Sequence, residues 1–377
     1  MGEKAPASFQ RKGKPRVRDV SFIRRLCTLG LPAQTVAPCL LPELRRFIPA
    51  HSAGVFWVDQ KAEMTSLYAE RMLPPDAMAA YYERHYAVKA ESFSDAFRLR
   101  AESHDPVSFH SFSAAEQNSR YFRDVMQRLD AFHILYGILK DGTRPLAQIS
   151  FYRGADDKPF ARDDADTLRS LLRYLAVGLD PGAVPQPAED SAIVVDEDLG
   201  IVSTAGAMIS APATWHRLVR LAALAEVSPR EALREHEAIS SFVETQCEKL
   251  FDNHGETSPR REVVHDTGWG RFVIRGFRLV DSKGQETDQV GLLIRREEPR
   301  SLSLVRGTGI AALSPQQREV ALLIAAGKSN REIADELGLS FNTASSHVKQ
   351  VYARLDVNER SAVAQKLLLL AHSTVAN

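Results

Sequence analysis

Leu313-Ser-Pro-Gln-Gln-Arg-Glu-Val320, Ala326-Gly-Lys-Ser-Asn-Arg-Glu-Ile-Ala334, Glu336-Leu-Gly-Leu-Ser-Phe-Asn-Thr343, His347-Val348 and Arg354-Leu-Asp-Val357 follow one another between Leu313 and Leu367. Ser314 is placed to cap a helix, with Pro315 at its first position and Gln317 three residues after the cap. Val320, Leu323 and Ile324 repeat at helical spacing. Gly327 ends that helix as a left-handed residue does. A short helix is expected over Asn330 to Leu337, burying Ile333, Ala334 and Leu337. Gly338-Leu-Ser340 is a tight turn whose Ser340 caps a third helix, Phe341 to Leu355. Helix, glycine-containing turn, helix is the helix-turn-helix pattern, here over 330–349. A last helix is expected over Arg360 to Ala371.

On the third helix, Ala344, Val348, Val351 and Leu355 form one apolar stripe, which faces the core. At about 100° per residue, Asn342, Ser346, Lys349 and Ala353 point the other way, flanked by Ser345 and Gln350. That face is small, polar and free of acids. Amide and hydroxyl side chains on such a helix read base edges in the major groove. An ordinary solvated face is the plainer alternative, but solvated faces usually mix Glu with Lys. The residues assigned to DNA contact are Lys328, Asn330, Ser340, Asn342, Thr343, Ser345, Ser346, Lys349 and Gln350.

This segment resembles the LuxR/FixJ-type helix-turn-helix of bacterial transcription regulators. The resemblance implies sequence-specific binding to double-stranded DNA, RNA polymerase as a partner, and a last helix that offers a dimer contact through Val363, Ala364, Leu367, Leu368 and Leu370. Closing the four-helix core is the alternative role for these residues. Ala344 and Ser345 depart from the family, which often has a β-branched and then a basic residue there. Arg306 to Asn377 carry eight Lys plus Arg against six Asp plus Glu. One such module binds DNA weakly, so a homodimer on an inverted repeat is expected.

The chain has 377 residues and no net charge, room for two or three domains and no global nucleic-acid signal. The basic tail, 1–18, reads as disordered. It lacks the apolar core of a signal peptide, and the uncharged stretch from Leu26 to Pro42 is broken by Pro32 and Pro38, so a cytoplasmic, non-membrane protein is expected. Cys27, Cys39 and Cys247 have no metal or redox spacing. Asp180 to Pro187 and Glu297 to Gly309 are punctuated like linkers. The expected organisation is 19–180 a ligand-sensing domain, 181–190 a linker, 191–297 a second domain, 298–310 a linker and 311–377 the DNA-binding domain.

The first segment reads as helices over Val20 to Leu29 and Leu40 to Phe47, a buried strand over Ala53 to Val58, helices over Pro75 to Tyr86 and Tyr121 to Leu129, strands over Ile134 to Leu139 and Leu146 to Tyr152 with a hairpin loop between them, and a long helix over Asp164 to Gly178. This order resembles GAF-like domains and the ligand domain of quorum-sensing LuxR proteins. The resemblance implies a small-molecule effector between sheet and helices, with Trp57, Tyr68, Tyr81, Tyr82 and Tyr86, and also Phe93 and Phe97, as candidate lining. Core packing is the alternative for each. Acyl-homoserine-lactone receptors have an Asp-Pro pair in this region; Lys89-Ala-Glu-Ser92 lacks it, and that ligand is not expected.

The second segment reads as a strand from Ala192, a tight turn at Asp198 to Gly200, a second strand, a helical middle including Trp215 to Ala225 and Arg230 to Phe251, and a strand, hairpin loop and strand from Trp269 to Ile294. It resembles a PAS domain, which implies sensing, dimerisation or signal relay. The fold class is therefore α+β sensory segments with antiparallel sheets and helices, followed by an all-α four-helix domain. There is no phosphate-binding glycine loop, nucleophile elbow or metal cluster in the sequence, so a ligand-controlled regulator with neither a cofactor nor an enzyme activity is expected; the alternatives are a constitutive dimeric DNA-binding protein whose upstream domains only dimerise, and an enzyme domain fused to a DNA-binding module.

Overall fold

The computed structural model describes residues 20–71, 81, 84–85, 93–103, 105–182, 192–223, 235–251, 262–311 and 313–373. The chain divides into two compact units, one mainly Ala37–Met64 with Tyr68–Val177, the other mainly Gly178–Asn377 with Arg25–Val36. Most of the helix expected over Pro75 to Tyr86, and the whole 1–18 tail, lie outside the described residues.

Two helices, α1 (Ser21–Cys27) and α2 (Ala33–Phe47), precede the first sheet. The sequence predicts α2 only from Leu40, yet it starts at Ala33 and carries Pro38 and Pro42 inside it. Val36, Ala37, Leu40, Leu41 and Leu44 are all buried, and burying that face outweighs the backbone hydrogen bonds the prolines remove. The sheet has the order β2-β1-β5-β4-β3, from β1 (Ser52–Val58), β2 (Met64–Ala69), β3 (Val107–Ser111), β4 (His133–Asp141) and β5 (Arg144–Arg153). Around it lie α3 (Phe93–Glu102), the short α4 (Ala114–Gln117) and α5 (Arg162–Gly178). The β4–β5 loop is tighter than expected: Asp141 pairs with Arg144, and Gly142 supplies the positive φ of 59° that a two-residue turn needs. Over the expected helix from Tyr121 to Leu129, Phe122–Met126 form a π-helical turn that packs with Ala131 and Tyr152.

The second unit is built on a sheet of order β7-β6-β10-β9-β8, with β6 (Ala192–Ser203), β7 (Met208–Ser210), β8 (Glu262–Thr267), β9 (Gly270–Val280) and β10 (Glu286–Pro299), and the helices α6 (Ala213–Ala223) and α7 (Glu235–Phe251). The turn expected at Asp198 to Gly200 is not there. Asp198, Leu199 and Gly200 pair in register with Ile294, Leu293 and Leu292. Gly200 serves packing instead: a Cβ on it would lie 2.5 Å from the Trp215 ring, so the glycine lets the indole lie against the strand. Trp215 Nε1 then donates to the Leu292 carbonyl at 2.8 Å.

Residues 298–310, expected as a linker, are the end of β10 and a helix, α8 (Arg300–Ile310). The turns suggested by Pro299, Gly307 and Gly309 lose to burial of Leu302, Val305 and Thr308. Gly307 is required by close approach, because a Cβ there would meet the Leu367 carbonyl. Four helices follow: α9 (Pro315–Ala325), α10 (Asn330–Leu337), α11 (Phe341–Leu355) and α12 (Arg360–Ser373). Val320, Ile333, Ala344, Val351, Val363 and Leu367 fill their core at 5% exposure or less. The fold is thus two antiparallel sheets with helices, followed by a helical C-terminal domain.

Candidate nucleic-acid interface

Three serines set the helix starts. Ser314 Oγ accepts from Gln317 N and Ser329 Oγ from Glu332 N, each closing a reciprocal capping box. Ser340 Oγ accepts from Thr343 N at 3.1 Å and lies 2.8 Å from Thr343 Oγ1. Gly338, at φ 63°, ends α10 in the left-handed region and turns the chain into α11. Asp356 ends α11 at φ 54°.

The helix so placed buries Ala344, Val348, Val351 and Leu355. Asn342, Thr343, Ser346, Lys349, Gln350, Ala353 and Arg354 are exposed. The first turn of α11 contains no acid, so the partial positive charge of the helix start is not neutralised from within.

The expected contact residues separate into two groups. Asn342, Ser346 and Lys349 have no side-chain hydrogen-bond or ion-pair partner among the described residues, which leaves them available to a ligand. The others are engaged within the domain. Asn330 Nδ2 donates to Ser345 Oγ at 3.2 Å, and Gln350 Oε1 accepts from Gln317 Nε2 at 2.9 Å. Lys328 lies 3.9 Å from both Glu332 and Glu336, which offsets its charge. Ser340 and Thr343 are occupied with each other at the cap.

Three residues were missed in the sequence. Arg360 donates to the Lys328 carbonyl and to Asn330 Oδ1 at 2.6 Å, tying α12 to the start of α10. Arg354 adds an exposed cation one turn beyond Gln350. Phe341 is 57% exposed; its signal in the sequence is an aromatic ring outside the Ala344–Leu355 stripe. Beside these, hydrogen bonds from the Ser329 backbone N–H and then its hydroxyl hold the Glu332 carboxyl below its usual range.

In the first unit the candidate ligand residues do not share one face. Trp57 pairs with Ala147, two residues along from the Val55–Ile149 pair. Gly137 lies opposite Ile149, and its Cβ position points at Leu168 and Leu172 of α5. Trp57 therefore belongs to the α5 side and is fully buried core. Phe97 packs with Val58 and Ile138 on the other side. That side also carries a polar line: Arg100 donates to Gln148 at 2.9 Å, and Gln148 donates to Ser150 at 3.0 Å. The Arg100 guanidinium lies 4.1 Å from the centre of the Tyr136 ring, and burial pushes the Tyr152 phenol up to about 12. Tyr81 packs against the cluster of Phe122 and Tyr152. Tyr68 is half-buried in β2. Tyr82 and Tyr86 lie outside the described residues, as does the Phe93 side chain.

Residues 311–367 match the family described as bacterial regulatory proteins, luxR family. Over 58 residues the chain is 40% identical to YhjB of Escherichia coli strain K12, a protein named as an HTH-type transcriptional regulator, covering 15% of this chain and 29% of that one. It is 36% identical over 53 residues to the transcriptional regulatory protein LiaR of Bacillus subtilis strain 168, covering 14% and 25%. The chain thus spans less than a third of the length of the relatives it matches. Among solved structures, Escherichia coli SdiA aligns over 88% of this chain and 87% of its own at 11% identity, with a TM-score of 0.23. That score transfers nothing to the upstream sheets. The C-terminal segment is a luxR-family helix-turn-helix domain. No helix among the described residues is long and apolar enough to cross a membrane.

Proposed function

We propose that this chain is a sequence-specific DNA-binding transcriptional regulator whose upstream units answer to a small molecule. The observation that carries the reading is the outer face of α11. Asn342, Ser346 and Lys349 stand there together, exposed and without a side-chain partner among the described residues, on a helix with no acid in its first turn. In the major groove, Asn342 and Ser346 supply base-edge hydrogen bonds, Phe341 an apolar contact to a thymine methyl, and Lys349 and Arg354 phosphate contacts. Asn330, Ser345 and Gln350 hold the frame.

The module's small positive excess favours two copies on two half-sites, hence a homodimer on an inverted repeat. Such a regulator works in the cytoplasm beside RNA polymerase. On the first sheet, the face that carries Arg100, Gln148 and Ser150 has the polar groups to orient an effector, with Phe97 as an apolar wall. Trp57 belongs to the core of that unit.

Selection of bound duplexes from a random pool by the full chain tests this. Enrichment of a two-fold symmetric site, with an unrelated duplex failing to compete, is the expected result. Recovery of unenriched sequence at every salt concentration contradicts it. A constitutive dimeric DNA binder is the second reading, supported by the full burial of Trp57 and Phe97. It predicts the same site with no effector able to change its occupancy.

A further inference from the structure

Over 302–309, helix α8 has no free side. Leu302, Ser303, Leu304 and Val305 follow one another and are all buried, as are Gly307, Thr308 and Gly309. At about 100° per residue, such a run covers the whole circumference of a helix. A surface helix buries one stripe, whereas a helix buried all round has neighbours on every side. Those of α8 come from two places within one compact unit. β6 and β10 of the second sheet lie against it, and so do α9 and α12 of the helical domain. Gly307 brings it up to the Leu367 backbone. One helix therefore belongs to the packing of both the sheet and the DNA-reading domain.

A polar cluster stands in this packing. Glu298, next to last in β10, is 2% exposed. Its Oε1 accepts from Ser303 Oγ at 2.6 Å and from Arg306 Nη2. The same Nη2 donates to Ser303 Oγ at 3.3 Å. The end of the strand is thus pinned to the first two turns of α8. Apolar contacts let a helix slide or turn at little cost, whereas a buried carboxylate shared by two donors holds one geometry. Replacing such a pair by apolar residues is often neutral for stability, so the use of this one is to fix an angle. We propose that α8 is a rigid lever, and that the clasp of Glu298, Ser303 and Arg306 sets the angle at which the second sheet carries the DNA-reading domain. Whatever resets the clasp then reseats α11. That consequence rests on the regulatory reading, but the angle is measured without DNA, so the two fail separately.

Spin labels on Lys283→Cys, in the exposed β9–β10 turn, and on Gln365→Cys, on the exposed side of α12, report that angle in the full chain. Cys39 is changed to Ser; Cys27 and Cys247 are buried. Dilution with unlabelled chain keeps each measured distance within one molecule. Double electron–electron resonance is expected to give one narrow distance while the clasp is intact. Glu298→Leu combined with Arg306→Leu removes both charges and should leave the thermal melt cooperative. The distance should then shift or broaden by more than the ~1–2 Å of ordinary helix shear. Ser303→Ala takes one hydroxyl from the clasp and should move the distance the same way, by less. A broad or two-peaked distance with the clasp intact overturns the lever. A distance unchanged in both variants overturns the role of the clasp. Where the double variant does not fold, Ser303→Ala decides between these outcomes.

Discussion

Lys349 and Gln350 are neighbours on α11 in different surroundings. Lys349 is exposed and unpaired among the described residues, whereas Gln350 is bonded to Gln317 at 2.9 Å. Lys349→Ala should flatten the plot of log affinity against log salt by about one unit, as the loss of one phosphate contact does. Gln350→Ala should leave that slope alone and lower domain stability by about 0.5–1.5 kcal/mol. Anisotropy titrations over a salt series and urea melts separate the two; a reduced slope for both variants would place Gln350 at the phosphates as well. Glu332 works through pH. Ser329 holds its carboxyl below the usual range, so its stabilising contribution is complete above the unfolded value of about 4.3 and is lost as pH falls through the lower folded value. The stability difference between the natural chain and Glu332→Gln should therefore be constant near neutral pH and change only on that acid side. A difference that changes between pH 6 and 8 would contradict it.

At the scale of elements, the departures from expectation come from one kind of ambiguity. A glycine signals a turn or a close contact, and sequence does not distinguish them. Gly327 and Gly338 have positive φ and end helices as the sequence indicates. Gly200 and Gly307 are the other kind, sites where a ring and a carbonyl approach the backbone. Reading them as punctuation breaks β6 at Asp198 and turns α8 into a linker. The capping serines were legible because capping is local. The partners of Asn330, Ser345 and Gln350 were not, because each lies on another helix. Likewise the alternation in β1 shows that Trp57 and Val58 face opposite ways, but only the packing of α5 says which way is which. Gly307→Ala should cost about 1–3 kcal/mol through overpacking against the Leu367 carbonyl and loosen α8 specifically. Hydrogen exchange over Leu302–Gly309 should rise while α10 stays protected. The fragment from Arg300 should accordingly be more stable than one from Leu313, and equal melting temperatures would show that α8 adds nothing to the domain.

Over the whole molecule, the proposed homodimer sets the spacing of its site. Two modules related by a two-fold axis place their recognition helices about 34 Å apart, one turn of DNA. Sedimentation of the complex should give two chains per duplex, and cutting one half-site out of the duplex should lose most of the affinity. One chain per duplex with undiminished affinity would refute the dimer and leave the α11 reading intact. The central claim is that the outer face of α11 reads base sequence, and the most direct test is the base-preference profile of the natural chain beside those of Asn342→Ala and Ser346→Ala. Each variant should lose discrimination at its own position in the half-site, by about 1–3 kcal/mol, with the rest of the profile and the thermal melt preserved. Identical profiles for all three proteins, on a site they still bind, would mean that this face does not read the sequence.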